Sequence, residues 1–171
     1  MTVDVVVLNG GSSSGKTSIG RRLQELLPEP WLLLGVDDLI DIAPSSLVSY
    51  GPKGEVVLGD QWRALETAWS RGVAAMARAG AGVLIDDVFL DGAASQRRTS
   101  DHLEGLDVLW VGVRCAPEVA AARERARGDR PAGMAAAQAE IVHRGVNYDV
   151  VVDSSSTTVD DCARLIAAHL A

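Results

Sequence analysis

The stretch Val5-Val6-Val7-Leu8-Asn9-Gly10-Gly11-Ser12-Ser13-Ser14-Gly15-Lys16-Thr17 decides how this chain is read. Its first part belongs to an apolar run from Val3 to Leu8 broken only by Asp4. The run is too short for a helix and rich in β-branched residues, which predicts a strand buried on both faces. Its second part satisfies the pattern G-x-x-x-x-G-K-[ST] in full. The glycines let the backbone curl so that successive N–H groups point inward, and a following helix adds its positive end, which together make a phosphate cradle. Lys16 adds a full charge there, and the Thr17 hydroxyl is set to ligate Mg2+. Gly10, Gly11, Ser12, Ser13, Ser14, Gly15, Lys16 and Thr17 are thus the expected nucleotide contacts, with ATP and Mg2+ as the implied cofactors.

Working outward, Ile19, Leu23, Leu26 and Leu27 recur at helical spacing, and this helix should stop before Pro28. A strand is expected from Trp31 to Val36, then a short helix from about Asp38 and an irregular stretch from Pro44 to Gly59. A long helix from about Asp60 to Ala79 carries Trp62, Leu65, Trp69, Val73 and Met76 on one stripe, and Gly80 closes it. Further strands fall at Val83 to Ile85, Val108 to Val113 and Tyr148 to Val152. The helices between and after them run from about Gly92 to Glu104, from Pro117, and through Val159, Cys162, Leu165, Ile166 and Leu170. This alternation predicts an α/β fold, one doubly wound domain over residues 1–171 with a five-stranded parallel sheet, and ligands at the carboxyl ends of the strands.

Composition narrows the function. At 171 residues and 47% hydrophobic the chain can bury a core without disulfides. A formal charge of −7 lacks the positive field that nucleic acid or an anionic membrane surface would select, so neither is an expected partner. Cys115 and Cys162 form no cluster, and His102, His143 and His169 lack metal-ligand spacing. No basic leader precedes the first strand and no apolar run reaches membrane-spanning length, so the expectation is a cytoplasmic protein acting on a small molecule. A homo-oligomer is compatible with the sequence but not specified by it.

A GTPase would need an N-K-x-D guanine motif, which two lysines at 16 and 53 do not supply. A kinase of the nucleoside-monophosphate-kinase type is the leading expectation, and a non-catalytic nucleotide switch is the alternative. Val83-Leu84-Ile85-Asp86 has the form of an apolar strand ending in the carboxylate that completes a metal site. Asp87, next to it, is the alternative for that role, and the competing reading of Asp86 is an aspartate that caps the next helix. The run Arg123-Glu124-Arg125-Ala126-Arg127-Gly128-Asp129-Arg130-Pro131 fits a short lid over about residues 127–134. In it Arg127 and Arg130 would neutralise the transferring phosphoryl group and Arg123 would contact ATP. The other reading of that run is a solvated helix face.

The acceptor region, about residues 37–62, holds Lys53 but no arginine between Arg22 and Arg63, which points to an uncharged alcohol rather than an anion. Asp37, directly after the second strand, is the candidate general base; Asp41 stands second, and the competing role for Asp37 is helix N-cap. Tyr50, Trp62, Asp87 and Phe89 are candidate lining for an acceptor pocket.

The chain resembles the chloramphenicol phosphotransferases. The similar segments are Leu8-Asn9-Gly10-Gly11-Ser12-Ser13, Leu27-Pro28-Glu29-Pro30-Trp31, Gly35-Val36-Asp37, Ile85-Asp86-Asp87-Val88-Phe89-Leu90, Asp107-Val108-Leu109-Trp110-Val111-Gly112-Val113-Arg114-Cys115, Arg127-Gly128-Asp129-Arg130 and Gly133-Met134-Ala135. The resemblance implies ATP-dependent phosphorylation of the primary hydroxyl of chloramphenicol, with the family's catalytic aspartate at Asp37, its loop lysine at Lys16 and its lid arginines at Arg127 and Arg130. The stretch from Pro44 to Asp60 departs from the family, which leaves another neutral alcohol as the alternative acceptor.

Overall fold

The computed structural model describes residues 3–51, 56–128 and 132–170. Its elements in chain order begin with β1 (Val5–Asn9), α1 (Lys16–Leu26), β2 (Trp31–Gly35) and α2 (Val36–Ile42), followed by a single 3-10 turn, Ser45–Leu47. Next come β3 (Val48–Tyr50), β4 (Val56–Leu58), α3 (Trp62–Arg78), β5 (Gly82–Asp87), α4 (Ala93–His102) and β6 (Val108–Arg114). The chain ends with α5 (Pro117–Arg127), α6 (Met134–Ile141), β7 (Val150–Asp153) and α7 (Val159–Ala167).

The valine run becomes the central strand. The sheet order is β2-β5-β1-β6-β7 with every pairing parallel, so β1 is hydrogen-bonded on both sides. Successive side chains of a strand point to opposite faces. Val6 and Leu8 accordingly pack with Ile19 and Leu23 of α1 and Cys162 and Ile166 of α7, while Val5 and Val7 pack with Val73 and Ala77 of α3 and with Phe89. These four β1 side chains are fully buried, and each contributes about 1.5–3 kcal/mol of apolar transfer. The five-stranded, doubly wound sheet agrees with the sequence expectation.

Three local features depart from it. The stretch read as irregular holds a small antiparallel hairpin, with Val48 opposite Leu58 and Tyr50 opposite Val56. Its strands are three residues long, too short for alternation to register in sequence. α2 begins at Val36 rather than Asp38, because the Asp38 carboxylate accepts the Gly35 N–H at 2.6 Å and so caps the helix from its first turn. α6 is absent from the sequence reading: Met-Ala-Ala-Ala-Gln-Ala-Glu-Ile offers no apolar stripe, since half of its positions are alanine.

Among the described residues no helix is long and apolar enough to cross a membrane.

Candidate active site

The Gly10–Thr17 loop leaves β1 at the carboxyl edge of the sheet and turns into α1. A Cβ on Gly10 would sit 2.5 Å from the Val113 carbonyl oxygen, so only glycine lets the loop lie against β6. Gly15 occupies the left-handed region at φ 93°, and no side chain caps α1, which leaves its first N–H groups turned toward the cradle. Ser13 Oγ is buried and lacks a hydrogen-bond partner, as expected of a hydroxyl facing a phosphate position. Lys16 is buried; its Nζ donates to the Gly11 carbonyl at 3.0 Å and lies 3.5 Å from Asp86 Oδ1.

Asp86 meets the loop directly. Thr17 Oγ1 donates to Asp86 Oδ2 at 2.6 Å, and parallel pairing of β5 with β1 puts Asp86 level with Leu8, two residues before Gly10. Two hard oxygen donors therefore converge beside the cradle. They fit a small divalent cation that keeps most of its coordination for water and phosphate oxygens. Asp87, the other candidate, hydrogen-bonds to neither Thr17 nor Lys16: its Oδ1 accepts from Val88 N at 2.7 Å, and it lines the same cleft. Loss of hydration pushes the Asp87 carboxyl up to about 6; the charges of Glu66 and Asp86 add to this, and the Val88 N–H and Lys16 oppose it.

A cleft of about 320 Å3 opens from the loop across the carboxyl edge of the sheet. Ser12, Ser13, Gly15, Lys16, Thr17, Asp86 and Arg127 are among its lining residues. Asp37, Tyr50, Trp62 and Asp87 line it too, so these four expected acceptor residues come together with the cradle. Asp37 sits in the first turn of α2, and because Asp38 does the capping, Asp37 is not the N-cap. Asp41 does not line the cleft.

Two expectations need correction. Phe89 is not a pocket residue: it is 1% exposed, packs on Trp110 with ring centroids 6.3 Å apart, and is pinned by Asn9 Oδ1, which accepts its N–H at 2.9 Å. Its place just after β5 turns the ring back under α3 rather than into the cleft. Arg123 does not line the cleft either. Its guanidinium is used behind the loop, donating to Ser154 O at 2.7 Å, Ser154 Oγ at 3.1 Å and Ser13 O at 3.5 Å. It braces the cradle from outside. Arg127 ends α5 at the cleft, and Gly128 follows at φ 68°, a left-handed stop suited to a hinge. Arg130 falls outside the described residues, as does the centre of the expected lid.

Several residues were missed in sequence. Glu124, read as one charge in an arginine run, is 4% exposed and accepts the N–H groups of Gly133 at 2.8 Å and Ala135 at 2.7 Å, holding the start of α6 with a negative charge. Gln138 of α6 accepts the Ser12 N–H at 2.8 Å, tying that helix to the cradle. A lone buried amide within an alanine run was the available signal.

The cleft also holds cations that the count between Arg22 and Arg63 overlooked. Arg63, Glu66, Asp91, Ser95 and Arg98 all line the cleft, brought there by α3, α4 and the turn after β5. Arg63 pairs with Glu66 at 2.7 Å and with Asp91 at 3.2 Å, and Arg98 pairs with Asp91 at 2.7 Å. Hydrogen bonding from Arg98, joined by its charge and by Arg63, holds the Asp91 carboxyl below its ordinary range against some loss of hydration.

Comparison with known proteins places the chain among similar ones. At 29% identity over 189 aligned positions, covering 94% of this chain and 79% of the relative, the chain is similar to a protein of Mycobacterium tuberculosis H37Rv whose name is that of an O-phosphotransferase with no acceptor specified. Among solved structures it is similar to an unliganded sugar kinase from Janibacter sp. HTCC2649, with a TM-score of 0.71 at 18% identity, covering 98% of this chain and 94% of that one. It is also similar to the tunicamycin resistance protein of Deinococcus radiodurans, with a TM-score of 0.67 at 23% identity, covering 99% and 96%. Both likenesses are of fold. The family model described as chloramphenicol phosphotransferase-like protein matches residues 3–171, which takes in the cradle and the Asp37 turn together, and the chain belongs to that family.

Proposed function

We propose that the protein transfers the terminal phosphoryl group of ATP to a hydroxyl of a neutral small molecule, with Asp37 as general base and chloramphenicol as the first acceptor to test. The enzyme class, an ATP-dependent O-phosphotransferase, follows from the family. The observation that carries the acceptor reading is the position of Asp37: it lines the same cleft as Lys16, Thr17 and Asp86, on the strand-end turn beside them.

In this reading the acceptor hydroxyl lies between Asp37 and the cradle. Its oxygen attacks the terminal phosphorus, its proton passes to the Asp37 carboxylate, and the bond to the bridging oxygen breaks to release ADP. Lys16 and Arg127, with Arg130 from the lid, offset the charge that spreads over the phosphoryl oxygens. Mg2+ held at Thr17 and Asp86 would supply further charge neutralisation at the phosphates. Asp87, on the acceptor side, would accept a hydrogen bond from the substrate.

A neutral acceptor is supported on a new footing. The fold does bring two arginines to the acceptor wall, but Glu66 and Asp91 balance their charge. A carboxylate or phosphate would find no net positive site there.

The test is to incubate the purified protein with Mg-ATP and chloramphenicol and look by mass spectrometry for the drug carrying one added phosphate. Absence of that product at high enzyme concentration, with ATP binding intact, removes chloramphenicol. ADP release above background across a panel of neutral alcohols then identifies another acceptor.

A further inference from the structure

We infer that Arg63, Asp91 and Arg98 form a recognition subsite for a neutral, oxygen-bearing group of the acceptor, such as an amide carbonyl, separate from the hydroxyl that receives the phosphate. This rests on the phosphotransferase reading above and adds what the acceptor must carry.

The arrangement joins three elements through one atom. Asp91 Oδ2, in the turn after β5, accepts both Arg63 Nη2 from the first turn of α3 at 3.2 Å and Arg98 Nη2 from α4 at 2.7 Å. Glu66 Oε2 takes Arg63 Nη1 at 2.7 Å, and Ser95 Oγ takes Arg98 Nη2 at 3.1 Å. Ser95 is itself buried and also receives the Asp91 N–H at 3.2 Å, so the turn and the helix are locked together. The guanidinium planes are therefore set before any ligand arrives.

Donors are left over. Each guanidinium carries five N–H groups. Arg63 Nε and Arg98 Nε and Nη1 hydrogen-bond to no protein group among the described residues, while both side chains line the cleft. Trp62, Val88 and Leu90 flank them with apolar surface. Half-exposed ion pairs of this kind add only about 0–1 kcal/mol each to stability, which makes recognition their larger consequence.

The charge balance selects the ligand. Two guanidinium groups face two carboxylates, Glu66 and Asp91, with the Asp87 carboxyl also lining the cleft. A substrate anion would meet these acidic groups, and a substrate amine would meet the guanidiniums. A carbonyl or similar oxygen accepts from the spare N–H groups without disturbing either. Apolar surface beside them fits a body that is aromatic or aliphatic.

The experiment compares binding of N-(2-hydroxyethyl)benzamide with that of 4-phenyl-1-butanol, a near-isostere lacking the amide, and with 3-hydroxy-2-phenylpropanoate, by ligand-detected NMR titration on the full chain. The amide should bind wild type about tenfold tighter than the butanol, the value of one hydrogen bond to a charged donor. Arg98→Met and Arg63→Met should each reduce that preference, with ATP affinity, measured alongside, reporting an intact cradle. Asp91→Asn should raise affinity for the carboxylate probe about tenfold, since it frees positive charge, a gain that general damage would not produce. The inference is overturned if wild type binds the two neutral probes equally or binds neither, if the preference survives in both arginine variants, or if wild type prefers the carboxylate. Should the preference hold while no alcohol ever gains phosphate, the subsite stands and the phosphotransferase reading falls.

Discussion

Thr17 Oγ1 and Asp86 Oδ2 lie 2.6 Å apart, which ties the first turn of α1 to the end of β5 across 69 residues of sequence. Asp86 keeps its second oxygen 3.5 Å from Lys16 Nζ, so one carboxylate serves both the hydroxyl and the ammonium of the cradle. Asp86→Asn removes a charge where the nucleotide's counter-ion is expected. Turnover should fall about 10²- to 10³-fold, with the Mg2+ concentration for half-maximal rate displaced upward. Initial rates over a Mg2+ series check this, and an unchanged Mg2+ dependence would move the metal to Asp87.

Asp37→Asn separates chemistry from nucleotide binding. The amide keeps the shape of the side chain and cannot take a proton, so kcat should drop by about 10²- to 10⁴-fold with ATP affinity held within a small factor. Calorimetric titration with a non-hydrolysable ATP analogue gives the affinity, and coupled ADP release gives the rate. Equal loss in both would make Asp37 a structural residue of the α2 turn.

The sheet was legible because its strands are short apolar runs, the central β1 buried on both faces, and the cradle was legible because its chemistry is contiguous in sequence. Asp37 and Asp86 could be placed at strand ends for the same reason. Arg63 and Arg98 were not legible as a site: they are 35 residues apart in a chain with many surface arginines, and only the turn at Asp91 brings them onto one oxygen. Phe89 was misplaced because the sequence cannot say which way a ring turns after a strand end. Glu124 looked like solvated charge, although α6 needed an anion at its start. The pattern is physical. Periodicity reports burial along one element, while long-range polar pairing depends on packing between elements.

The Glu124 carboxylate gives α6 its only described side-chain partner at the N-terminus, accepting from Gly133 and Ala135. Glu124→Gln keeps one acceptor oxygen and sets an NH2 group against the other N–H. Stability should fall by about 2–3 kcal/mol, the cost of a charge-assisted buried bond lost with its partner orphaned. Urea unfolding followed by far-UV circular dichroism measures it; a change within error would mean that α6 finds other partners.

Gln138 carries a smaller but more specific effect. In Gln138→Leu the Ser12 N–H loses its acceptor, and the loop pays about 1 kcal/mol to stay ordered, about fivefold in ATP affinity. The acceptor's own binding should not change, because Gln138 lies at the phosphate end. Parallel titrations with the ATP analogue and the acceptor distinguish this from a general loosening of the cleft.

His143 provides the pH test. Asn9 Nδ2 donates to the Tyr148 hydroxyl at 2.6 Å, that hydroxyl and His143 Nδ1 share a hydrogen bond, also of 2.6 Å, and Nε2 is buried without a partner among the described residues. Burial, helped by the positive charges of Arg114 and Lys16 and opposed by Glu140, pushes the imidazole down to about 4. Between pH 6.5 and about 4 the unfolded chain binds a proton at this position that the folded chain refuses, so stability rises with pH across that window and is lost as pH falls through it. After allowance for solvent screening the loss is at most about 2 kcal/mol. His143→Asn keeps a polar amide beside the Tyr148 hydroxyl and has no titrating group, so its stability should fall less than wild type's from pH 6.5 to 4, while carboxylate contributions remain common to both. Urea midpoints across that range decide the matter, and parallel curves for the two proteins would show that the imidazole gains its proton without leaving the fold.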